Sequence, residues 1–150
     1  MKTFLVPVDF SPVTEEVIDN AIAFARAFAG GKVVLLNVVQ PPVVATTEYA
    51  LPVEIIQEAL DVTEKSAREK LDRYSVMFRE AGLQAETKVL IGPPVTHILE
   101  EADRCKADYI LIGSHGHGRL YDFLVGSTAS GIIKKARCGI VILPPEDKHG

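Results

Sequence analysis

Tryptophan is missing from this 150-residue chain, cysteine occurs only twice, and the 16 basic side chains nearly cancel the 20 acidic ones. The residual charge of −4 gives no reason to expect long-range attraction to nucleic acid or anionic lipid. Cys105 and Cys138 show no CxxC spacing, so both are read as small buried hydrophobes in a reducing compartment, with a bridge between them the weaker alternative. The apolar stretch at residues 4–8 contains Pro7 and runs into Asp9. It is too short to span a membrane or to serve as a secretory leader, and a soluble cytoplasmic protein is expected. No repeat or low-complexity tract interrupts the chain, and its length fits one domain, residues 1–150, burying roughly two-thirds of its extended surface.

What is present is an alternation of short apolar runs with segments of helical period. Strands are predicted over residues 4–8, 32–39, 84–90, 109–112 and 140–143, the third polar enough for a sheet edge. Ser11 followed by Pro12 reads as an N-cap and first helical position, opening a helix that Gly30-Gly31 ends. A long helix over 54–80 stops at Gly82, a third starts at Gly92-Pro93-Pro94, and a fourth covers 127–135. Pro41-Pro42 ends the second strand, and residues 41–53 read as a flexible loop. Strands alternating with helices imply an α/β fold with helices on both faces of a parallel sheet, whose ligands settle at the carboxyl ends of strands near a switch in strand order.

The segment after the fourth strand is Gly113-Ser114-His115-Gly116-His117-Gly118, followed further on by Gly126-Ser127. Glycines there permit close approach of a ligand to the backbone. The N–H groups of Ser127, Thr128 and Ala129 would point from a fresh helix terminus toward a phosphate, with Ser127 also the expected cap. An ordinary turn with Ser127 merely capping a helix is the competing explanation. The segment is not a Walker loop, because no lysine follows Gly126, and no dinucleotide fingerprint follows the first strand. Asp9, at the end of that strand, is suited either to sugar hydroxyls or a hydrated metal ion, or to a local turn with Ser11. His115 and His117 lack the partners of a zinc site. Ser127 lacks the flanks of a nucleophile elbow, and Lys134, Lys135 and Arg137 read as charges favourable at a helix C-terminus.

The spacing Gly113, Gly116, Gly126, Ser127, together with Leu5-Val6-Pro7-Val8-Asp9-Phe10-Ser11, resembles the universal stress protein family in its nucleotide-binding branch, over nearly the whole chain. The resemblance implies a five-stranded parallel sheet in order 3-2-1-4-5. It implies adenine contacts around Pro7, Val8 and Val38, a ribose-side contact at Asp9, and Ile112 lining the base or ribose end. Phosphate contacts fall on Gly113, His115, Gly116, Gly126, Ser127, Thr128 and Ala129. The expected ligand is ATP, with or without Mg²⁺, or AMP or another adenine nucleotide. The expected partner is a second copy joined through residues 140–143. Two departures stand out: Asn37 occupies a position where many members carry histidine, and Ser130-Gly131 replaces a commonly charged helical pair, so Gly131 should weaken the first turns of that helix. The implied role is nucleotide-dependent regulation in a stress response rather than dedicated catalysis, since no phosphate-clamping lysine or general base is apparent. A nucleotide-free dimeric interaction protein and a slow ATP hydrolase or adenylate transferase are the alternatives.

Overall fold

Side chains on successive strand residues point to opposite faces of a sheet, so a run that is apolar throughout must feed two cores. The computed structural model describes residues 1–41, 51–114 and 126–144. Phe4 and Val6 of β1 (Lys2–Pro7), Val33 and Leu35 of β2 (Gly31–Val39) and Leu111 of β4 (Tyr109–Gly113) enter one core. Their neighbours Leu5, Val34, Leu36, Ile110 and Ile112 enter the other. With β3 (Gln84–Ile91) and β5 (Gly139–Leu143), these strands form a parallel five-stranded sheet in order β3-β2-β1-β4-β5, the architecture expected from the sequence.

Helices cover both faces. α1 (Thr14–Arg26) and α2 (Val53–Glu80) bury Ile18, Ala21, Leu71 and Phe78 in the first core. α3 (Pro94–Arg104) and α4 (Ser127–Lys135) bury Ile98, Ala102, Ala129 and Ile132 in the second. The ring of Phe4 stacks on Tyr109 at 6.0 Å and meets Phe24 edge-on at 6.1 Å, and each such pair contributes about 0.5–1.5 kcal/mol beyond simple burial. α2 ends as its sequence predicts. Gly82 takes φ +86°, and the N–H of Leu83 reaches back to the carbonyl of Phe78 at 3.1 Å, closing a Schellman cap.

Several local expectations are corrected. Ser11 does not cap α1: the N-cap is Val13, without a side-chain bond, and the helix begins at Thr14. Ser127 is the first residue of α4 rather than its cap, which is Gly126. β1 stops at Pro7, although the N–H of Val8 still donates to Leu36 O at 2.8 Å. Gly131, expected only to weaken α4, lies where a Cβ would come within 2.9 Å of Val95 Cγ2, so glycine here lets α4 approach α3. In the loop expected at 41–53, residues 42–50 lie outside the described residues. Cys105 and Cys138 are free and half-buried, and burial pushes both thiols up. Among the described residues no helix is long and apolar enough to cross a membrane.

Among the described residues one charged side chain is buried. Glu101 of α3 is 2% exposed, accepts from Lys88 Nζ and Arg104 Nε at 2.8 Å each, and also pairs with Arg104 Nη2. Burial pushes its carboxyl up, but the hydrogen bonds and charges of Arg104 and Lys88 outweigh that and hold it below the usual carboxylate range. A depressed folded-state pKa contributes stability that is present above the unfolded value and is lost as pH falls through the folded one. Glu101→Gln is therefore expected to lower stability at neutral pH by about 1–2 kcal/mol, less than for a fully buried pair because both cations reach solvent. Urea denaturation of both proteins from pH 7 to pH 3 should show the difference shrinking toward the acid end. A constant difference would exclude the ionic contribution.

Candidate functional site

Parallel strands place all their carboxyl ends, and the N-termini of the helices that follow, on one edge of the sheet. The order reverses between β1 and β4, and there the two connections diverge to opposite faces and leave a crevice. On the β1 side, Val8 is held at both backbone groups: its N–H donates to Leu36 O, and its carbonyl accepts from Asn37 Nδ2 at 2.8 Å. The amide of Asn37 thus closes the end of the β1–β2 pair. The chain then turns through Asp9-Phe10-Ser11. Phe10 takes φ +58°, Asp9 Oδ1 accepts the N–H of Ser11 at 2.9 Å, and the N–H of Thr14 donates to Ser11 O at 3.0 Å. Asp9 therefore adopts the local-turn role that was one of its two readings, and this turn delays the start of α1.

On the β4 side, Ser114 joins two segments. Its N–H donates to Leu143 O at 3.2 Å, and its carbonyl accepts from Gly126 N–H at 2.8 Å. The chain leaving β4 and the chain entering α4 are thereby fixed side by side. α4 has no side-chain cap, and its first intrahelical bond runs from Ser130 N–H to Gly126 O, so the N–H groups of Ser127, Thr128 and Ala129 have no acceptor within the helix.

Between these two sides lies a cavity of about 310 Å³, at the lower end of the range for small-molecule sites. Pro7, Val8, Asp9, Val38, Ile112, Gly113, Gly126, Ser127, Thr128 and Ala129 are all among its lining residues. The predicted site residues His115 and Gly116 lie outside the described residues. Asp9 is the one ionisable side chain among the described lining residues, so an anion here would be held by backbone N–H groups, hydroxyls and the helix dipole rather than by a cation. The termini of the helices differ in this respect. α1 carries Glu15 and Glu16 in its first turn and α3 opens on Pro94, which has no N–H, whereas α4 has open donors and no acid in its first turn. Negative charge is therefore best accommodated at α4.

Sequence reasoning missed Ser11, Thr14, Gln40 and Ser114 as lining residues. Ser11 and Thr14 are buried, and neither hydroxyl oxygen has a hydrogen-bond partner. Ser11 reads from the sequence only as an N-cap before Pro12, and no motif marks Thr14. Among the described residues no cluster of three or more His, Cys, Asp or Glu is placed to hold a metal ion.

The family description "Universal stress protein family" matches residues 1–144. The universal stress protein MJ0531 of Methanocaldococcus jannaschii is 30% identical over 149 residues, which span 99% of this chain and 85% of that protein. The solved structure of MJ0577 from the same organism superposes with a TM-score of 0.83 at 24% identity, covering 98% of each chain. A universal stress protein family member from Arabidopsis thaliana, solved with AMP bound, superposes with a TM-score of 0.66 at 18% identity, covering 98% of this chain and 94% of that one.

An unpartnered buried hydroxyl destabilises the free protein, so Thr14→Val, which keeps the shape and removes the polar group, is expected to raise stability by about 1 kcal/mol. Urea unfolding of the ligand-free protein measures this directly. A loss of stability of the same size would mean that the hydroxyl has a partner.

Proposed function

The chain belongs to the universal stress protein family, and from that premise we propose that its switch-point cavity binds an adenine nucleotide whose occupancy regulates the protein rather than feeding a dedicated reaction. The observation that carries this reading is the uncapped N-terminus of α4, whose first three residues line a cavity without a basic side chain among its described lining. Phosphate belongs at that end. The base belongs at the apolar end by Val8, Val38 and Ile112, with the sugar toward Asp9. AMP bound to the Arabidopsis relative supports an adenine nucleotide as the class, and ATP is the form we propose. A Mg²⁺ ion fits this site only as a passenger on the phosphates, because Asp9 is the single carboxylate among the described lining residues. A ligand that prefers one conformation shifts its population without being consumed, as a stress-response regulator requires.

We also propose a homodimer joined through β5. Each edge of the sheet exposes unpaired backbone groups, but β3 carries Glu86 and Lys88, whereas β5 reads Gly-Ile-Val-Ile-Leu without a charge. Charged side chains protect an edge and apolar ones invite pairing, so antiparallel β5 strands about a two-fold axis are the natural closure. A second reading, that of a nucleotide-free interaction protein, draws on the outer half of α2. No residue there before Ala67 is buried, and Val53, Ile55 and Val62 are exposed.

Gly126 provides the decisive test. Its φ of −56° suits any residue, and among the described residues a Cβ would meet only Ser114 O at an ordinary 3.5 Å. Gly126→Asp should therefore fold, cap α4 and add about 1 kcal/mol of stability, while its carboxylate competes for the donors a phosphate needs. Calorimetry with ATP and AMP on nucleotide-stripped protein is expected to show saturable binding for the wild type and at least roughly tenfold weaker binding for the variant. Absence of saturable heat in the wild type, or equal affinity in a more stable variant, overturns the nucleotide reading. Light scattering across a concentration series should give twice the chain mass. A constant monomer mass with and without nucleotide would remove the dimer.

A further inference from the structure

Phe10 does not line the cavity, yet it lies between two residues that do, Asp9 and Ser11. It adopts φ +58°, a conformation unfavourable for a bulky L-residue, which persists only where surrounding contacts over-determine it. Those contacts come from α2. The Phe10 ring lies near-parallel to Tyr74, with centroids 6.5 Å apart and planes at 15°, and Lys70 Nζ sits 4.9 Å from the centroid of the same ring. Lys70 and Tyr74 are four residues apart and so share one face of α2. Phe10 is also packed against the first core.

Building on the cavity reading above, we propose that Phe10 is a positioning residue: docked on Tyr74 and Lys70, it holds the Asp9 turn in its ligand-receiving form and makes α2 a contributor to affinity. The chain of causes is short. The ring fixes the left-handed backbone at residue 10, and that backbone brings the Ser11 N–H onto Asp9 Oδ1. The bond orients the Asp9 carboxylate at the end of β1. Without the aromatic anchor the turn has no reason to remain left-handed, and Asp9 loses its fixed direction. A glycine at residue 10 would accept the same backbone without strain, so losing the ring and relieving the strain can be separated from general damage to the fold.

The test compares Phe10→Gly with the conservative Phe10→Tyr, reading AMP affinity by calorimetry and hydrogen exchange of the Ser11 amide by NMR. Phe10→Gly is expected to speed Ser11 exchange and to raise the AMP Kd about tenfold, the order set by losing one ring stack and one cation–π contact. Phe10→Tyr should restore both to within about twofold of the wild type, because a phenol ring offers the same face. Should Phe10→Gly not fold, Tyr74→Leu takes its place, leaving the turn's own residues intact, with the same two readouts moving in the same direction. Unchanged Ser11 exchange, an unchanged Kd, or failure of tyrosine to rescue overturns the proposal. If the wild type binds no nucleotide, the cavity reading falls by itself, and Ser11 exchange still decides whether Phe10 orders the turn.

Discussion

Parallel pairing of β1 with β2 on one side and β4 on the other is the constraint from which the remaining structure follows. It directs every strand end to one edge, requires crossovers through helices, and opens a crevice where those crossovers part. The strand ends are then secured by hydrogen bonds rather than by bulk. Asn37 closes onto the Val8 carbonyl, and Ser114 ties the exit of β4 both to β5 and to the start of α4. The described lining combines apolar side chains with glycines and small hydroxylated residues, and apart from Asp9 and Gln40 its polarity comes from peptide groups and hydroxyls. The described lining carries no basic side chain, so in the proposed function a phosphate is met by peptide and hydroxyl donors.

Stability and site chemistry pull in opposite directions at several points on this edge. Two buried hydroxyls lack partners, and Phe10 is held in a left-handed conformation. Each of these is a departure from the most stable local arrangement. They occur together on the edge carrying the cavity, whereas the buried carboxylate of Glu101 is satisfied by Lys88 and Arg104. The other non-glycine residue with positive φ among those described, Lys106, lies at the opposite edge, before β4.

Much of this was legible in the sequence, for identifiable reasons. The runs at Val33–Leu36 and Ile110–Ile112 are short, β-branched-rich and apolar at every position, the pattern of a strand buried on both faces, and Gly82 closes α2 through a cap that favours glycine at that position. Gly113 and Gly126 of the glycine spacing line the same cavity as the end of β1, which is why strand order and motif point to one edge. What was not legible depended on geometry that pattern does not carry. Ser11-Pro12 has the composition of a helix start, but the side chain of Asp9 takes the Ser11 N–H and moves the start to Thr14. Ser11 and Thr14 join the lining for the same reason. The need for glycine at Gly131 lies in Val95, 36 positions earlier in the chain, and no local rule connects the two.

That close approach bears on the thermodynamics of recognition. With a valine methyl occupying the space a Cβ would need, α4 is seated closely against α3 over a shared core. In the proposed function, its three open N–H groups are spaced by the helix itself before any anion arrives. Little conformational freedom remains to be lost at that end when a ligand arrives, and donors fixed in advance hold charge more tightly than donors that must first be gathered.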